Sequence, residues 1–410
     1  MVAHFYSDYR SHWIRRLYVG PLARYLDGFA TFLLENGYSR LAGQRHLFRA
    51  AALSDWLEDR HLRVSDLDVK GIKQFFLRRT SSAAIQIEEA TTMRVFLGYL
   101  RSTGVSVPQL CQEQEISALE KAYAEHLERE RGVCRNTRSS HMRVIHQFVQ
   151  EHLGRKRARP SHLRARDVTE FVLHHARERS HSKSLGITIA LRSFFAFLRQ
   201  RGDITADLAA CVPSVACWRL TTIPRYLEPD KVEKVLRSPD RRTCRGKRDY
   251  AILLFLARLG LRAGEVVAMT LDDINWAAGE IMVRGKASKQ DRLPLFRDVG
   301  RALSSYLRIR PPCSTRRVFL CERAPHRGFG GPASICDLVG RAFTRAGLHI
   351  QGKAHVLRHS LATQMLSQGA NLPEIGEILR HQHVDSTAIY AKVDFNGLRT
   401  VLQPWPGGSR

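Results

Sequence analysis

The chain has 410 residues and a formal net charge of +26, from 65 Lys and Arg against 39 Asp and Glu. Hydrophobic residues make up 44%, which excludes a disordered basic tail and suits two to four packed domains at roughly 100–200 residues each. No stretch approaches the run of about 18 apolar residues that an ordinary transmembrane helix needs. Met1–Arg10 lacks the apolar core of a signal peptide. The eight Cys are scattered and none is spaced C-x-x-C, which argues against a disulfide scaffold and a zinc ribbon and places the chain in a reducing cytoplasm.

Residues 1–110 carry +5, residues 111–220 carry +7 and residues 221–410 carry +14. The excess is spread through sequence with a folded pattern rather than gathered in a tail. Lys and Arg that neutralise phosphates release counterions, so the expected partner is nucleic acid.

In chain order, residues 1–109 read as a helical module. Leu22, Tyr25, Leu26, Phe29, Phe32 and Leu33 recur at helical spacing, and Gly37 ends that helix. A second helix carries Leu47, Ala50, Ala51, Leu53 and Leu57, a third Ile72, Phe75 and Phe76, and a fourth covers Ala90 to Arg101. Residues 114–208 repeat the plan: Leu119, Tyr123 and Leu127, with Gly132 as stop; then Ile145, Phe148 and Val149; then Val168, Phe171 and Val172; then Thr188 to Arg199. A shift of 95 or 96 residues lays Gly37 on Gly132, His46 on His141 and Phe75 on Phe171, the pattern of two similar four-helix modules. Residues 209–225 hold Pro213 and Pro224 and form a linker.

The last region, residues 226–405, is mixed. Pro229-Asp230 opens a helix, and Asp249 to Leu259 forms another that stops at Gly260. Glu280 to Val283 and Arg292 to Phe296 flank a Gly/Lys/Ser turn and make a hairpin, with Val318 to Cys321 expected as a third strand. From Ile335 to Leu398 the pattern is helical again. The fold class is α+β and mostly α: two N-terminal helical modules, then a helical catalytic domain with a small antiparallel sheet.

The chemistry gathers near the C-terminus. In His355-Val-Leu-Arg358-His359, positions i, i+3 and i+4 share one helix face. The H-x-x-x-H spacing raises zinc, but Val356 stands where a metalloprotease carries Glu, and Arg358 puts a permanent cation where the dication would sit. Arg between imidazoles suits an anion such as phosphate. Further on, Leu379-Arg380-His381 leads to Tyr390, a nucleophile candidate because it follows a His-rich turn in a basic protein. Upstream, Arg262 follows the helix-stopping Gly260, and Glu265 lies where it can hold a basic side chain. Arg284-Gly285-Lys286 through Arg292 forms the basic hairpin tip, in isolation an ordinary charged turn.

Taken together, Gly-Leu-Arg262-x-x-Glu265, Gly285-Lys286 in a hairpin ending Leu293-Pro294-Leu295, His355-x-Leu-Arg358-His359, His381, and Tyr390 nine residues later resemble the tyrosine recombinase family of phage-integrase-type site-specific recombinases. The resemblance covers the last domain fully. Residues 114–208 resemble the family's helical, SAM-like core-binding domain, and residues 1–109 an added N-terminal module. Arg380 departs from the Gly that many members carry; no loss of activity is expected from it.

The resemblance implies that Tyr390 attacks a DNA phosphodiester, giving a 3′-phosphotyrosine link and a free 5′-hydroxyl, and that a second 5′-hydroxyl then resolves the link. Neither ATP nor metal is then needed. Arg262 and Arg358 would clamp the non-bridging oxygens, Lys286 protonate the leaving 5′-oxygen, His355 take the Tyr390 proton or bond the phosphate, and His381 donate to the phosphate, with Glu265 and His359 in support. Implied partners are double-stranded DNA held in a clamp of domains, three further copies in a homo-tetramer on paired sites, and possible sister recombinases. The implied role is service to a mobile genetic element. A type IB topoisomerase-like relaxing enzyme would use the same chemistry without synapsis.

Overall fold

Runs of apolar residues at helical spacing become packed helices, several of them closed by Ser, Thr or Asn caps or by a stop glycine. The computed structural model describes residues 2–6, 17–67, 71–72, 74–75, 83–105, 107, 118–154, 159–176, 181–215, 223–285, 290–350, 352–383 and 385–393. They fall into two units. One joins residues 1–110 to 222–410, and the other comprises residues 111–221.

In the first unit, helix α1 (Ala23–Glu35) buries Leu26, Phe29, Ala30 and Leu33. Gly37, at φ +77°, turns the chain into α2 (Arg40–Glu58), where the Ser39 hydroxyl accepts the Ala42 N–H. Helix α3 (Ala83–Ser102) starts earlier than the expected Ala90. It lays Phe96 edge-on against Phe29, ring centroids 4.8 Å apart. Ile72 and Phe75 of the expected third helix are buried in the same core; Phe76 lies outside the described residues. Ala324, 214 or more positions later than this module ends, packs against that core, and the His326 N–H donates to the Asn36 carbonyl.

The second unit packs α4 (Ala118–Arg129), α5 (Arg135–Val149), α6 (Ala165–Ala176) and α7 (His181–Arg201) around Tyr123, Phe148, Phe171, Phe194 and Phe195. Helix α7 contains the expected Thr188–Arg199 segment and begins earlier. Phe75 and Phe171, which the 96-residue shift aligns, are both buried.

After the linker, the first unit resumes with α8 (Pro229–Arg237), opened by Pro at its first position. Helix α9 (Cys244–Arg258) is capped by the Thr243 hydroxyl on the Gly246 N–H, 2.9 Å. Every residue from Ala251 to Ala257 is buried, so α9 is the central rod of this domain. Around it lie α10 (Ala263–Ala268), α11 (Arg297–Leu307), α12 (Pro332–Arg345) and α13 (Ala354–Ser367). The chain ends its described course in α14 (Leu372–Ile378), α15 (Asp385–Ala388) and a 3-10 turn, Ile389–Val393.

The sheet is antiparallel, in the order β1 (Ile274–Asn275), β2 (Glu280–Arg284), β3 (Gln290–Pro294). Its third strand is therefore Ile274–Asn275 and not Val318–Cys321. The reason is chemical. Val318, Phe319 and Leu320 are all buried, without the alternation of a half-buried strand. The Val318 carbonyl also goes to the Arg310 guanidinium and the Leu320 carbonyl to Arg248, where a ladder would need them. The bridges formed along this segment, Thr270–Arg317 and Leu320–Gly328, are isolated ones and build no ladder.

Candidate active site

Gly260 begins the site. At φ +59° it ends α9, and a Cβ there would lie 2.6 Å from Leu379 Cδ2; both the backbone angle and the close approach demand glycine. The turn delivers Arg262 to the start of α10. There Glu265 reaches back to the Arg262 N–H at 2.9 Å and to its guanidinium at 2.8 Å.

Helix α13 supplies three residues. Arg358, buried, donates to the carbonyls of Gly260 and Leu379. It thereby ties the turn before α10 to the end of α14. His355 and His359 stand one turn apart on the same face, ring centroids 6.2 Å apart, as the i, i+4 spacing predicts. His355 is exposed and His359 half-buried.

Helix α14 is set by a reciprocal cap: Asn371 Oδ1 accepts the Glu374 N–H and Glu374 accepts the Asn371 N–H. It stops at Leu379. Arg380 then adopts φ +56°, its carbonyl accepting from the Arg262 guanidinium at 3.2 Å. Its own guanidinium meets Glu265 Oε2 at 2.8 Å. His381 follows, with Nδ1 2.6 Å from the Thr387 hydroxyl.

Tyr390 sits in the 3-10 turn and is 1% exposed. Its ring lies parallel to His381, centroids 6.4 Å apart at 8°. Its hydroxyl is 2.8 Å from His359 Nδ1. The imidazole that meets the phenol is thus His359, where the sequence reading put His355 in that place and His359 in support.

The charges follow from this packing. Burial pushes the Tyr390 phenol up to about 12, although Arg358 and Arg262 pull it down. Burial, then the neighbouring His355 and Arg358, hold His359 down at about 4. Burial, then Arg358 and Arg262, do the same to His381, also about 4. Burial, then Arg358 and Arg262, lower His355 as well. Burial with Arg262 and Arg380 nearby brings Arg358 down to about 10. For Glu265 burial works to raise the carboxyl, and Arg380 and Arg262 together outweigh it, so it ends below the usual range. At neutral pH the site therefore holds neutral imidazoles, a protonated phenol, an ionised Glu265 and three arginines.

Arg262, Glu265, His355, Arg358, His359, His381 and Tyr390 come from four separate stretches of sequence and meet here. Lys286 lies outside the described residues; the strands that flank it, β2 and β3, are in place. Arg380 is the component that sequence reasoning treated as a mild departure. Its signal was present: a long cation in a position where a glycine is expected, next to the anion-binding motif.

A basic cluster holding a buried tyrosine beside an imidazole, on a mostly helical domain with a small antiparallel sheet, defines a tyrosine-type recombinase. Residues 225–396 match the phage integrase family, and residues 121–202 match the phage integrase N-terminal SAM-like domain. The chain is 42% identical to the putative integrase/recombinase y4rA of Sinorhizobium fredii over 393 residues, 95% of each chain. It is 31% identical to the tyrosine recombinase XerD of Listeria innocua over 283 residues, 67% of this chain and 93% of that one. Its fold matches the crystal structure of the XerH site-specific recombinase bound to palindromic difH substrate, with a TM-score of 0.51 at 17% identity, over 93% of this chain and 96% of that one. The chain belongs to the tyrosine recombinase family and is a tyrosine-type site-specific recombinase.

Proposed function

We propose that this recombinase cuts and rejoins double-stranded DNA through a 3′-phosphotyrosine on Tyr390, in the service of a mobile genetic element. The observation that carries the reading is the Tyr390 hydroxyl, 2.8 Å from a neutral imidazole and within the field of Arg262 and Arg358. A scissile phosphate entering between the two arginines brings negative charge, which raises the basicity of the imidazoles around it. The Tyr390 oxygen attacks phosphorus as its proton passes to His359. The bond to the 5′-oxygen breaks, and that oxygen takes a proton from Lys286. The reverse attack, by a 5′-hydroxyl of a second strand, restores the phosphodiester and frees Tyr390.

Arg262 and Arg358 stabilise the extra charge on the non-bridging oxygens, the contribution that is usually largest in such a transition state. His355 and His381 donate to the same phosphate. A phenol held near 12 and a histidine held near 4 keep the nucleophile protonated until DNA arrives, so the site is silent without substrate.

Residues 226–405 serve as the catalytic domain and 114–208 as the core-binding domain, with 1–109 as an added module; the matched ranges support the first two. The integrase/recombinase name of y4rA supports the mobile-element role. Four copies on paired sites, with or without sister recombinases, would exchange strands in the cytoplasm.

The test is a suicide substrate nicked beside the scissile phosphate, resolved on a denaturing gel with the adduct mapped by mass spectrometry. Wild type should form an adduct on Tyr390. Tyr390→Phe should bind DNA equally and form none. An adduct on another residue, or metal-dependent cleavage with no adduct, overturns the reading. Relaxed circles without exchanged strands would instead mark a topoisomerase-like enzyme.

A further inference from the structure

Arg380 stands in left-handed backbone, which favours glycine over any residue with a side chain. Its side chain is not spread into solvent. It is 6% exposed and pairs with Glu265, also 6% exposed, at 2.8 Å. Glu265 is at the same time the partner of the Arg262 guanidinium, 2.8 Å. The Arg380 Nε also lies 4.0 Å from Asp291 on β3, the strand that leaves the Lys286 turn.

Charge bookkeeping decides what this does. With Arg262 alone, ionised Glu265 would form a neutral pair, and Arg262 would offer a phosphate less net attraction. With Arg380 the triad carries one net positive charge. Glu265 is then shared between two cations. The Arg262 side chain, 37% exposed, keeps its orientation and its field on its exposed side. The Arg262 contact to the Arg380 carbonyl needs only backbone; the sharing of Glu265 needs the guanidinium.

We propose that Arg380 is a positioning residue: it takes up part of the Glu265 charge so that Arg262 can stabilise the scissile phosphate. The proposal rests on the phosphotyrosine reading above.

The test uses the full-length chain as wild type, Arg380→Gly, Arg380→Lys and Glu265→Gln/Arg380→Gly. Each is given the suicide substrate with an ordinary scissile phosphate or with a methylphosphonate, whose methyl group removes the negative charge. Arg380→Gly should bind DNA like wild type and form adduct roughly 10- to 100-fold more slowly at saturating phosphodiester. On methylphosphonate its deficit against wild type should shrink to within about threefold, because one non-bridging oxygen and the charge it carries, which Arg262 would stabilise, are gone. Arg380→Lys should fall between, and adding Glu265→Gln should restore part of the lost rate. The Gly variant relieves the backbone but removes a buried ion pair, so a thermal melt checks its fold.

Full activity of Arg380→Gly overturns the proposal. So does an equal deficit on both substrates, or an equal loss in the Gly and Lys variants with a lowered melting point, since each marks a merely structural role. Failure of Arg380→Gly to fold while the double variant folds and reacts still supports the coupling; failure of both to fold overturns it. A wild type that forms no Tyr390 adduct overturns the phosphotyrosine reading and this proposal with it, whereas an active wild type beside an active Arg380→Gly overturns this proposal alone.

Discussion

Tyr306 and Tyr390 are buried to the same degree, 1% each, and differ in what meets the hydroxyl. The Tyr306 oxygen accepts the Leu320 N–H at 3.2 Å, and its ring stacks on Phe319. It is a strut for the Val318–Leu320 stretch. The Tyr390 oxygen meets an imidazole and feels two arginines. Tyr306→Phe should therefore form adduct at the wild-type rate while losing stability by about 1–3 kcal/mol, because a buried N–H is left without its acceptor. Denaturant unfolding and the suicide-substrate gel read the two effects separately. Loss of adduct in a folded Tyr306→Phe would contradict the division of roles.

At the scale of elements, α13 and the end of α14 bring His359 and His381 against Arg358 and Arg262. Both imidazoles are held at about 4, below the value of about 6.5 they take in an unfolded chain. As pH falls from about 6.5 toward 4, the unfolded chain binds protons that the folded site refuses. Stability is thus full above that window and lost on acidification through it. Each imidazole contributes at most about 1.4 kcal/mol per pH unit, and less where the half-exposed rings are screened by solvent. Melting temperatures measured from pH 6.5 to 4.5 at constant ionic strength should fall steeply for wild type. They should fall less steeply for His359→Asn/His381→Asn. Parallel slopes for the two proteins would show that burial and the neighbouring cations do not exert this pressure.

For the molecule as a whole, the charge of +26 is the long-range term. Binding to duplex DNA should weaken steeply with salt, with a log–log slope of about −0.9 per phosphate neutralised. Residues 1–110 pack with the catalytic domain through Ala324 and the His326–Asn36 hydrogen bond. Deleting them should make the slope shallower and uncover that loop, while leaving adduct formation on pre-bound suicide substrate. Titrations from low to high salt with both proteins measure it. Loss of covalent chemistry in the truncated protein would assign the first module to the active site.

Helical period, stop glycines and the order Arg262, His355, Arg358, His381, Tyr390 were legible in the linear sequence, because each rests on spacing along one element. The common face of His355 and His359 is such a case: 3.6 residues per turn places them together whatever surrounds the helix. Other features depend on which elements meet. Ile274–Asn275 became the third strand, and not Val318–Leu320, because the Val318 carbonyl goes to Arg310 and the Leu320 carbonyl to Arg248. His359 rather than His355 reached Tyr390 because the 3-10 turn folds back against that part of α13. Arg380 joined the arginine pair because α14 ends beside Glu265, 115 residues earlier in the chain. Local periodicity acts within a few residues, whereas hydrogen-bond partners, burial and the sharing of a charge are settled only when distant segments pack.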